Sequence, residues 1–351
     1  MLLYIHIPFC DSKCHYCAFN SYTSLHSLRD DYMKALYIQL KTELEIQNKL
    51  IETIFIGGGT PSTIEASYYK TILNIVNPYL ENSCEITIEA NPNSATSKWL
   101  KDIYSIGINR VSFGVQSFNN EKLDFLGRNH NKEQAFNAIK NAYNIGFKDI
   151  NLDIIYDTRL DTKELLDNDL EIIKILPINH ISTYSLTIEE GTKFFSKSNV
   201  RLEDENLARY FFAQLESLGF KQYEISNFSK SDASRSKHNL GYWQYKEYLG
   251  IGSGAVACYA NKRFYGQNDV LEYIKDPLNY ENIEHLSDDD IIIEKLLLGF
   301  RSVVGVSCEI LDKKQMIKIK ELESIKKIDI KDNYIYAKDF MLADELVLYL
   351  Q

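Results

Sequence analysis

No stretch of this sequence approaches the roughly 18 consecutive apolar residues of a membrane-spanning helix. No Lys/Arg-rich run stands out either, and the formal charge is −10. The electrostatic footprint of a nucleic-acid binder is therefore missing, and no nucleic-acid partner is expected. Proline and glycine are sparse, at 6 and 16 in 351 residues, and neither a low-complexity tract nor a repeat of fixed period is present. The opening MLLYIHIPFC is apolar but lacks a basic leader, is interrupted by His6 and Pro8, and precedes no small-residue cleavage site. Cytoplasmic residence is the expectation. What remains is a chain 45% hydrophobic and 25% charged, long enough for a generous core and one small extra domain. Such a protein is expected to act on small ligands or protein partners.

Short β-branched or apolar runs recur at Leu2–Ile7, Thr53–Ile56, Glu85–Glu89, Arg110–Val115, Ile150–Ile155 and Ile181–Leu186. Amphipathic stretches separate most of them. Leu28, Tyr32, Leu36, Leu40 and Leu44 share one helical face, as do Tyr69, Ile72, Leu73 and Val76, and then Phe136, Ile139, Lys140 and Tyr143. Strands alternating with helices predict parallel βαβ units, and six in succession suggest a barrel or partial barrel, with an open doubly wound sheet the alternative. Distinctive chemistry follows strand after strand, as the C-terminal face of an α/β barrel requires. The first strand leads to cysteines, the second to Gly57-Gly58-Gly59-Thr60, the third to Glu89-Ala90-Asn91-Pro92 and the fourth to Gln116-Ser117, while the fifth carries Asp153. Beyond Thr187 the pattern changes. A helix is predicted over Glu203–Leu218, then a Tyr-rich region, then a glycine-rich turn at Gly250–Gly254. A helix at Asp288–Phe300 and a strand-like pair at Tyr334–Ala337 and Leu346–Leu350 make a small terminal unit.

Six cysteines are present, and three fall within eight residues as Cys10-x-x-x-Cys14-x-x-Cys17. That spacing suits a metal site rather than a disulfide, which a reducing compartment disfavours. Three thiolates fit an iron–sulfur centre with one iron left open for a ligand. A zinc knuckle completed by His15 is the equal alternative on spacing alone. Cys84, Cys258 and Cys308 stand alone and read as small buried hydrophobes.

Tyr4-Ile5-His6-Ile7-Pro8-Phe9-Cys10 through Cys14-His15-Tyr16-Cys17 resembles the signature of the radical S-adenosylmethionine superfamily. It is most similar to the branch that holds oxygen-independent coproporphyrinogen dehydrogenase (HemN) and the HemW-type haem chaperones. The resemblance implies an α/β fold: a partial (β/α)6 barrel with a small C-terminal α+β accessory domain. It also implies a 4Fe–4S cluster on Cys10, Cys14 and Cys17. The open iron would be chelated by the amino and carboxylate groups of S-adenosylmethionine, which the reduced cluster can cleave to a 5′-deoxyadenosyl radical.

Several further residues acquire roles from the same resemblance. The triplet at Gly57 lets backbone approach a ligand where a Cβ would collide, and Gly58, Gly59 and Thr60 match the loop that binds the methionine amino group. Glu89 is a carboxylate suited to ribose hydroxyls. Gln116 both donates and accepts, and Arg128 suits the methionine carboxylate as a bidentate partner. Asp153, in an apolar strand, needs a partner. Tyr4, Tyr16 and Leu186 match further cofactor contacts. After Tyr156 the family continues Gly-Leu-Pro, whereas this chain reads Asp157-Thr158-Arg159, so that loop is expected to differ in shape.

Two features separate the branches. The dehydrogenases carry a fourth cysteine two residues past the third, where this chain has Phe19, and a long N-terminal extension that precedes the signature strand. Cys17-Ala18-Phe19-Asn20-Ser21 instead resembles the chaperone branch, as does His238-Asn239-Leu240-Gly241-Tyr242-Trp243. The resemblance makes His238 a haem iron ligand, with Tyr242 and Trp243 as flat surface for a porphyrin; a packing histidine is the alternative. His26, His130, His180 and His285 carry no partner pattern. Three readings follow: a haem chaperone delivering haem to respiratory acceptors, with transient contact to membrane proteins; a radical enzyme of porphyrin metabolism; or a zinc-stabilised barrel. The expected organisation is a radical SAM core over 1–200, an extension with the haem motif over 201–285, and an accessory domain over 286–351, which docks the acceptor or closes the barrel mouth.

Overall fold

The structure, a computed structural model, describes residues 1–351. Six strands alternate with helices: β1 (Leu2–Ile7), β2 (Ile51–Gly58), β3 (Leu80–Ala90), β4 (Arg110–Gln116), β5 (Asp149–Tyr156) and β6 (His180–Ser185). The intervening helices are α1 (Arg29–Gln47), α2 (Ala66–Val76), α3 (Ser97–Ser105), α4 (Asn120–Leu126), α5 (Lys132–Ile145) and α6 (Lys163–Ile175). Next come α7 (Glu205–Ser217), β7 (Lys221–Gln222), β8 (Asn227–Ser229), α8 (Lys237–Trp243), β9 (Tyr248–Ile251), β10 (Val256–Tyr259), β11 (Lys262–Gly266), α9 (Val270–Lys275) and β12 (Tyr280–His285). All twelve strands form one sheet in the order β12-β11-β10-β9-β1-β2-β3-β4-β5-β6-β8-β7. Neighbours from β9 through β6 pair in parallel, whereas β8 and β10–β12 pair antiparallel. The ends do not meet, so the architecture is an open, partial α/β barrel.

Alternation along each strand assigns its two faces. Leu3, Ile5 and Ile7 of β1, Ile54 and Ile56 of β2, Val111, Phe113 and Val115 of β4, and Ile150, Leu152 and Ile154 of β5 all join the main core. That core fills the space between the sheet and its outer helices. The opposite face carries Tyr4, His6, Thr53, Glu85, Thr87, Glu89, Arg110, Ser112, Asn151, Asp153, His180 and Ser182. Closed α/β barrels pack branched apolar residues there. In this chain the concave side is polar, which makes it a chamber.

The C-terminal unit comprises α10 (Asp288–Phe300), β13 (Val306–Ser307), α11 (Lys313–Ser324), β14 (Ile328–Lys331), β15 (Tyr334–Ala337) and α12 (Ala343–Leu350). It has a three-stranded sheet, β13-β15-β14, and a core of its own around Phe300, Ile319, Ile335 and Leu346.

Four expectations need correction. Leu346–Leu350 is helical, not strand-like; Ala343, Leu346, Val347 and Leu350 face the core at helical spacing, a pattern hidden inside a short apolar run. Gly250 and Ile251 belong to β9 rather than to a turn, and the turn is confined to Gly252–Gly254. Glycine is needed at 250 because a Cβ would lie 2.1 Å from the Val256 carbonyl oxygen. The buried face of α5 is Ala135, Ala138, Ile139 and Ala142, while Tyr143 is 50% exposed; small residues let this helix sit close to the sheet. Finally, Cys84 is buried as expected, but Cys258 and Cys308 are only half-buried.

Candidate metal centre and ligand chamber

Strand β1 delivers the chain into a noose between Phe9 and Tyr22. Cys10 N donates to Tyr22 O at 3.0 Å, and Tyr22 N donates to Pro8 O at 2.7 Å. His15 pins the far side: its amide donates to Leu126 O at 3.0 Å, its Nδ1 bonds Phe125 O at 2.9 Å, and its carbonyl accepts from Phe194 N at 3.0 Å. The Nε2 edge of the ring lies against Gly127, where a Cβ would come within 2.9 Å of it. His15 is thereby held in the loop through its backbone and its Nδ1. A third fastening comes from His6, whose Nε2 bonds Asn20 O at 2.8 Å while Nδ1 meets the Tyr4 hydroxyl at 2.9 Å. Sequence reasoning gave His6 no role; its place in a strand among apolar neighbours was the available signal.

Inside the noose the three sulfurs lie close enough to affect one another. Burial pushes the Cys10 thiol up, and its two neighbours push in the same direction. Cys17 is raised too, again chiefly by burial. Thiolates form here only against positive charge, as a metal cluster supplies. Two donors already point at sulfur: Thr60 Oγ1 to Cys10 Sγ at 3.3 Å and Arg128 Nη1 to Cys14 Sγ at 3.2 Å. Three sulfurs with donors around them, and no fourth thiol on the loop, fit a cube-shaped cluster with one site-differentiated iron.

Arg128 gathers the surrounding elements. Its Nη2 donates to Asn91 Oδ1 at 2.5 Å and Gly114 O at 2.6 Å, its Nη1 lies 3.5 Å from the Tyr16 hydroxyl, and its buried Nε has no partner. Asn91 also donates to Thr60 Oγ1 at 3.1 Å. This residue was not singled out from sequence, although it stands two positions beyond Glu89.

The glycine loop works by close approach. A Cβ at Gly57 would sit 2.8 Å from the Glu89 carboxylate, and one at Gly58 (φ +110°) would sit 2.5 Å from the His6 ring. Its amides are engaged within the protein: Gly58 N with Glu89 Oε2 at 3.1 Å, Gly59 N with Ile7 O at 2.7 Å and Thr60 N with Phe9 O at 2.8 Å. The loop therefore locks β2 to the cysteine noose.

Glu89 on β3 and Asp153 on β5 lie on the same concave face, near enough for the Asp153 charge to act on Glu89. Burial, then the Asp153 charge, push the Glu89 carboxyl up to about 8 from 4.5. Burial raises Asp153 to about 6, opposed by hydrogen bonds that include Asn151 Nδ2 at 2.7 Å. A folded-state value above the unfolded one means that the native state holds the proton more tightly. The resulting stability is complete below about pH 4.5 and fades as pH rises through about 8. In the apoprotein, urea denaturation from pH 5 to 8 is expected to show stability falling with pH, and Glu89→Gln to flatten that slope. An unchanged slope in the variant would mean that Glu89 is not the group responsible.

The other sequence-derived residues are distributed as follows. Gln116 ends β4, buried, in a left-handed conformation (φ +68°). Leu186 lies one residue past β6, in an apolar patch with Leu126, Ile155, Phe194 and Val200, against which Tyr16 packs. Asp157, where the family has glycine, takes φ +68° and holds Arg201 at 2.8 Å, Ser185 at 2.9 Å and the Glu203 amide at 2.6 Å. His180, given no role from sequence, bridges Asn151 Oδ1 at 2.6 Å and the Tyr223 hydroxyl at 2.7 Å.

Beside the noose, the concave face opens into a cavity of about 820 Å³ lined by Tyr4, His6, Phe19, Phe55, His238 and Tyr242 among others. His238 is buried in its wall. Nδ1 lies 2.7 Å from Thr53 Oγ1, Nε2 lies 3.2 Å from the Tyr242 hydroxyl, and the ring packs 5.2 Å from Phe55. Burial lowers its pKa to about 3, so the imidazole is neutral. Trp243 does not share this cavity; it lines a separate crevice on the other flank of α8. The pairing of Tyr242 with Trp243 as one porphyrin-facing surface is thus corrected: adjacent residues on a helix point about 100° apart.

The sequence profile of the Radical SAM superfamily matches residues 4–195. Curated relatives include the heme chaperone HemW of Bacillus subtilis, 34% identical over 319 residues that cover 87% of this chain and 84% of the relative. The Escherichia coli heme chaperone HemW is 39% identical over 264 residues, covering 72% of this chain and 68% of the relative. Among solved structures, Escherichia coli coproporphyrinogen III oxidase (HemN), described as a radical SAM enzyme, aligns with a TM-score of 0.83 over 99% of this chain and 89% of that one. At 19% identity that likeness is one of fold. The chain belongs to the radical SAM superfamily and, within it, to the HemW family.

Proposed function

We propose that this protein is a cytoplasmic haem chaperone that carries haem in the chamber, with His238 as iron ligand, and delivers it to respiratory acceptor proteins. The observation that carries the reading is the single cavity of about 820 Å³ whose wall holds both His238 and residues of the cysteine noose. The relatives' printed role as heme chaperones supports it. No helix is long and apolar enough to cross a membrane, which accords with a carrier that meets membrane acceptors only transiently.

The imidazole is prepared for ligation. In the tautomer protonated at Nδ1, Thr53 Oγ1 accepts at 2.7 Å and the lone pair lies on Nε2. Tyr242 occupies that lone pair at 3.2 Å, a long hydrogen bond, and haem iron would take its place. Tyr242, Phe55 and Phe19 then offer apolar surface to the macrocycle.

Cys10, Cys14 and Cys17 would hold a 4Fe–4S cluster. Tyr4, Tyr16, Gly58, Gly59, Thr60, Glu89, Gln116, Arg128, Asp153 and Leu186 would surround S-adenosylmethionine. When bound and reduced, the cluster supplies one-electron chemistry toward the sulfonium. This chain's contribution is positional: Arg128 and Thr60 hold sulfur and anionic groups, the paired acids Glu89 and Asp153 accept hydroxyl hydrogen bonds, and the polar chamber wall sets the ligand's orientation. Residues 1–200 form the core of this arrangement, 201–285 bring His238 to it, and 286–351 act as the accessory unit.

Anaerobic haem titration in the Soret region tests the reading. Wild type is expected to bind haem saturably, and His238→Ala to weaken binding by about tenfold or more, with loss of the histidine-ligated spectrum. Equal affinity in the variant would rule out this ligand. Absence of saturable binding in wild type would favour a radical enzyme acting on a porphyrinogen.

A further inference from the structure

The crevice that receives Trp243 lies between α8 and the C-terminal unit, with a volume of about 580 Å³. Small-ligand pockets span about 300–1,000 Å³. Its walls carry four aromatic rings, Trp243, Tyr245, Tyr334 and Tyr336, and its floor is the Val303–Val306 segment. Two cations line it, Arg235 and Lys295, and no carboxylate does. Carboxylates stand behind two of these residues, Asp232 paired with Arg235 and Glu294 accepting from the Tyr245 hydroxyl, which leaves Lys295 as the cation without one.

Neither cation is fully used. Lys295 Nζ stands 5.3 Å from the centroid of the Tyr245 ring and pairs with no carboxylate. Arg235 places one terminal nitrogen 2.6 Å from Asp232 and rests on the Tyr223 ring at 5.6 Å. Its Nε is buried with no acceptor. Flat aromatic walls select a planar ligand, and two under-used cations select one with carboxylates.

The geometry points to this crevice as a second ligand site, specific for a planar aromatic dicarboxylate of the porphyrin class and distinct from the His238 chamber. The identification of the class rests on the haem reading above. No histidine lines the crevice, so recognition there depends on the ring and its carboxylates and not on iron. The two cavities share one short helix. Residues 238 and 242 face the chamber while 243 faces the crevice.

Iron-free protoporphyrin IX is the probe, since it cannot use an axial ligand. Its fluorescence titration against the full chain is expected to show saturable binding that Lys295→Glu weakens by about tenfold or more, with Lys295→Gln intermediate. The same variants should keep the histidine-ligated haem spectrum. The dimethyl ester, whose carboxyls are neutral, should bind wild type and Lys295→Glu alike. Conversely, His238→Ala should leave iron-free binding intact. Unchanged iron-free binding in Lys295→Glu, or its loss in His238→Ala, would overturn the second site while leaving the chamber reading standing. Haem binding insensitive to His238→Ala, with the iron-free results as expected, would overturn the chamber ligand and not the crevice.

Discussion

Cys14→Ser is expected to reduce reconstituted iron and acid-labile sulfide from about four of each per chain to near zero, without unfolding the protein. The reason lies in how the noose is held. Its fastenings are Cys10 N to Tyr22 O, His15 to Phe125 and Leu126, and His6 to Asn20 O. None uses the Cys14 sulfur. Serine offers a hard oxygen of high pKa in place of a soft thiolate, and two thiolates do not retain a cube. Far-ultraviolet circular dichroism should therefore match wild type while the cluster absorbance is absent. Haem binding should persist, because His238 draws its support from Thr53 on β2 and from Tyr242. A folded Cys14→Ser variant that retained full iron would remove the cysteine noose from the account. Joint loss of cluster and haem would show one coupled site instead of two.

Lys122→Met should destabilise the apoprotein by about 3–5 kcal/mol in urea denaturation, the usual result of orphaning a buried charge. Lys122 Nζ meets Asp161 Oδ1 at 2.5 Å with both side chains wholly inaccessible. Asp161 Oδ2 also accepts from Thr158 N at 2.8 Å and Thr158 Oγ1 at 3.0 Å. Nearby Asp169 accepts from Ser117 Oγ at 2.8 Å and Phe118 N at 2.7 Å. Burial raises Asp169 to about 6, and Lys122 opposes that rise. Removing the single cation strands two carboxylates in the interior. Adding Asp161→Asn to Lys122→Met should recover more than half of the loss, since a neutral amide keeps one hydrogen bond without the charge. A loss below about 1 kcal/mol for Lys122→Met would mean that water reaches the pair. The network also matters to the site, because it ties the end of β4, with Gln116, to the loop after β5.

Much of the barrel was readable because its strands obey local rules. Each apolar run is short, bounded and β-branched, and the residues expected to meet the cofactor sit at strand ends. The cysteine spacing was equally plain. The polar concave face was harder to read: Thr87, Arg110, Asn151 and His180 look like interruptions until pairing register places them on one side. Helix α5 was misread because alanine, the residue that packs closest, carries little hydrophobic signal, whereas Phe136 and Tyr143 carry much. Strand β9 was hidden by glycine, whose use at 250 depends on the close approach of the Val256 carbonyl in β10. Trp243 followed from motif likeness as a partner of Tyr242, but helical geometry sends consecutive residues to different surfaces. The hydrogen bonds of Asn91 and His180 join residues about thirty to forty positions apart and have no local signature.

The proposed 4Fe–4S cluster on Cys10, Cys14 and Cys17 has its fourth iron open to S-adenosylmethionine. Electron paramagnetic resonance of the reconstituted, reduced protein tests it most directly, recorded with and without that ligand. A reduced-cluster signal is expected whose g values shift on adding S-adenosylmethionine, with a smaller shift at equal ligand concentration in Arg128→Ala. A cluster signal that S-adenosylmethionine leaves unaltered, or a reconstituted protein holding zinc without iron, would contradict it.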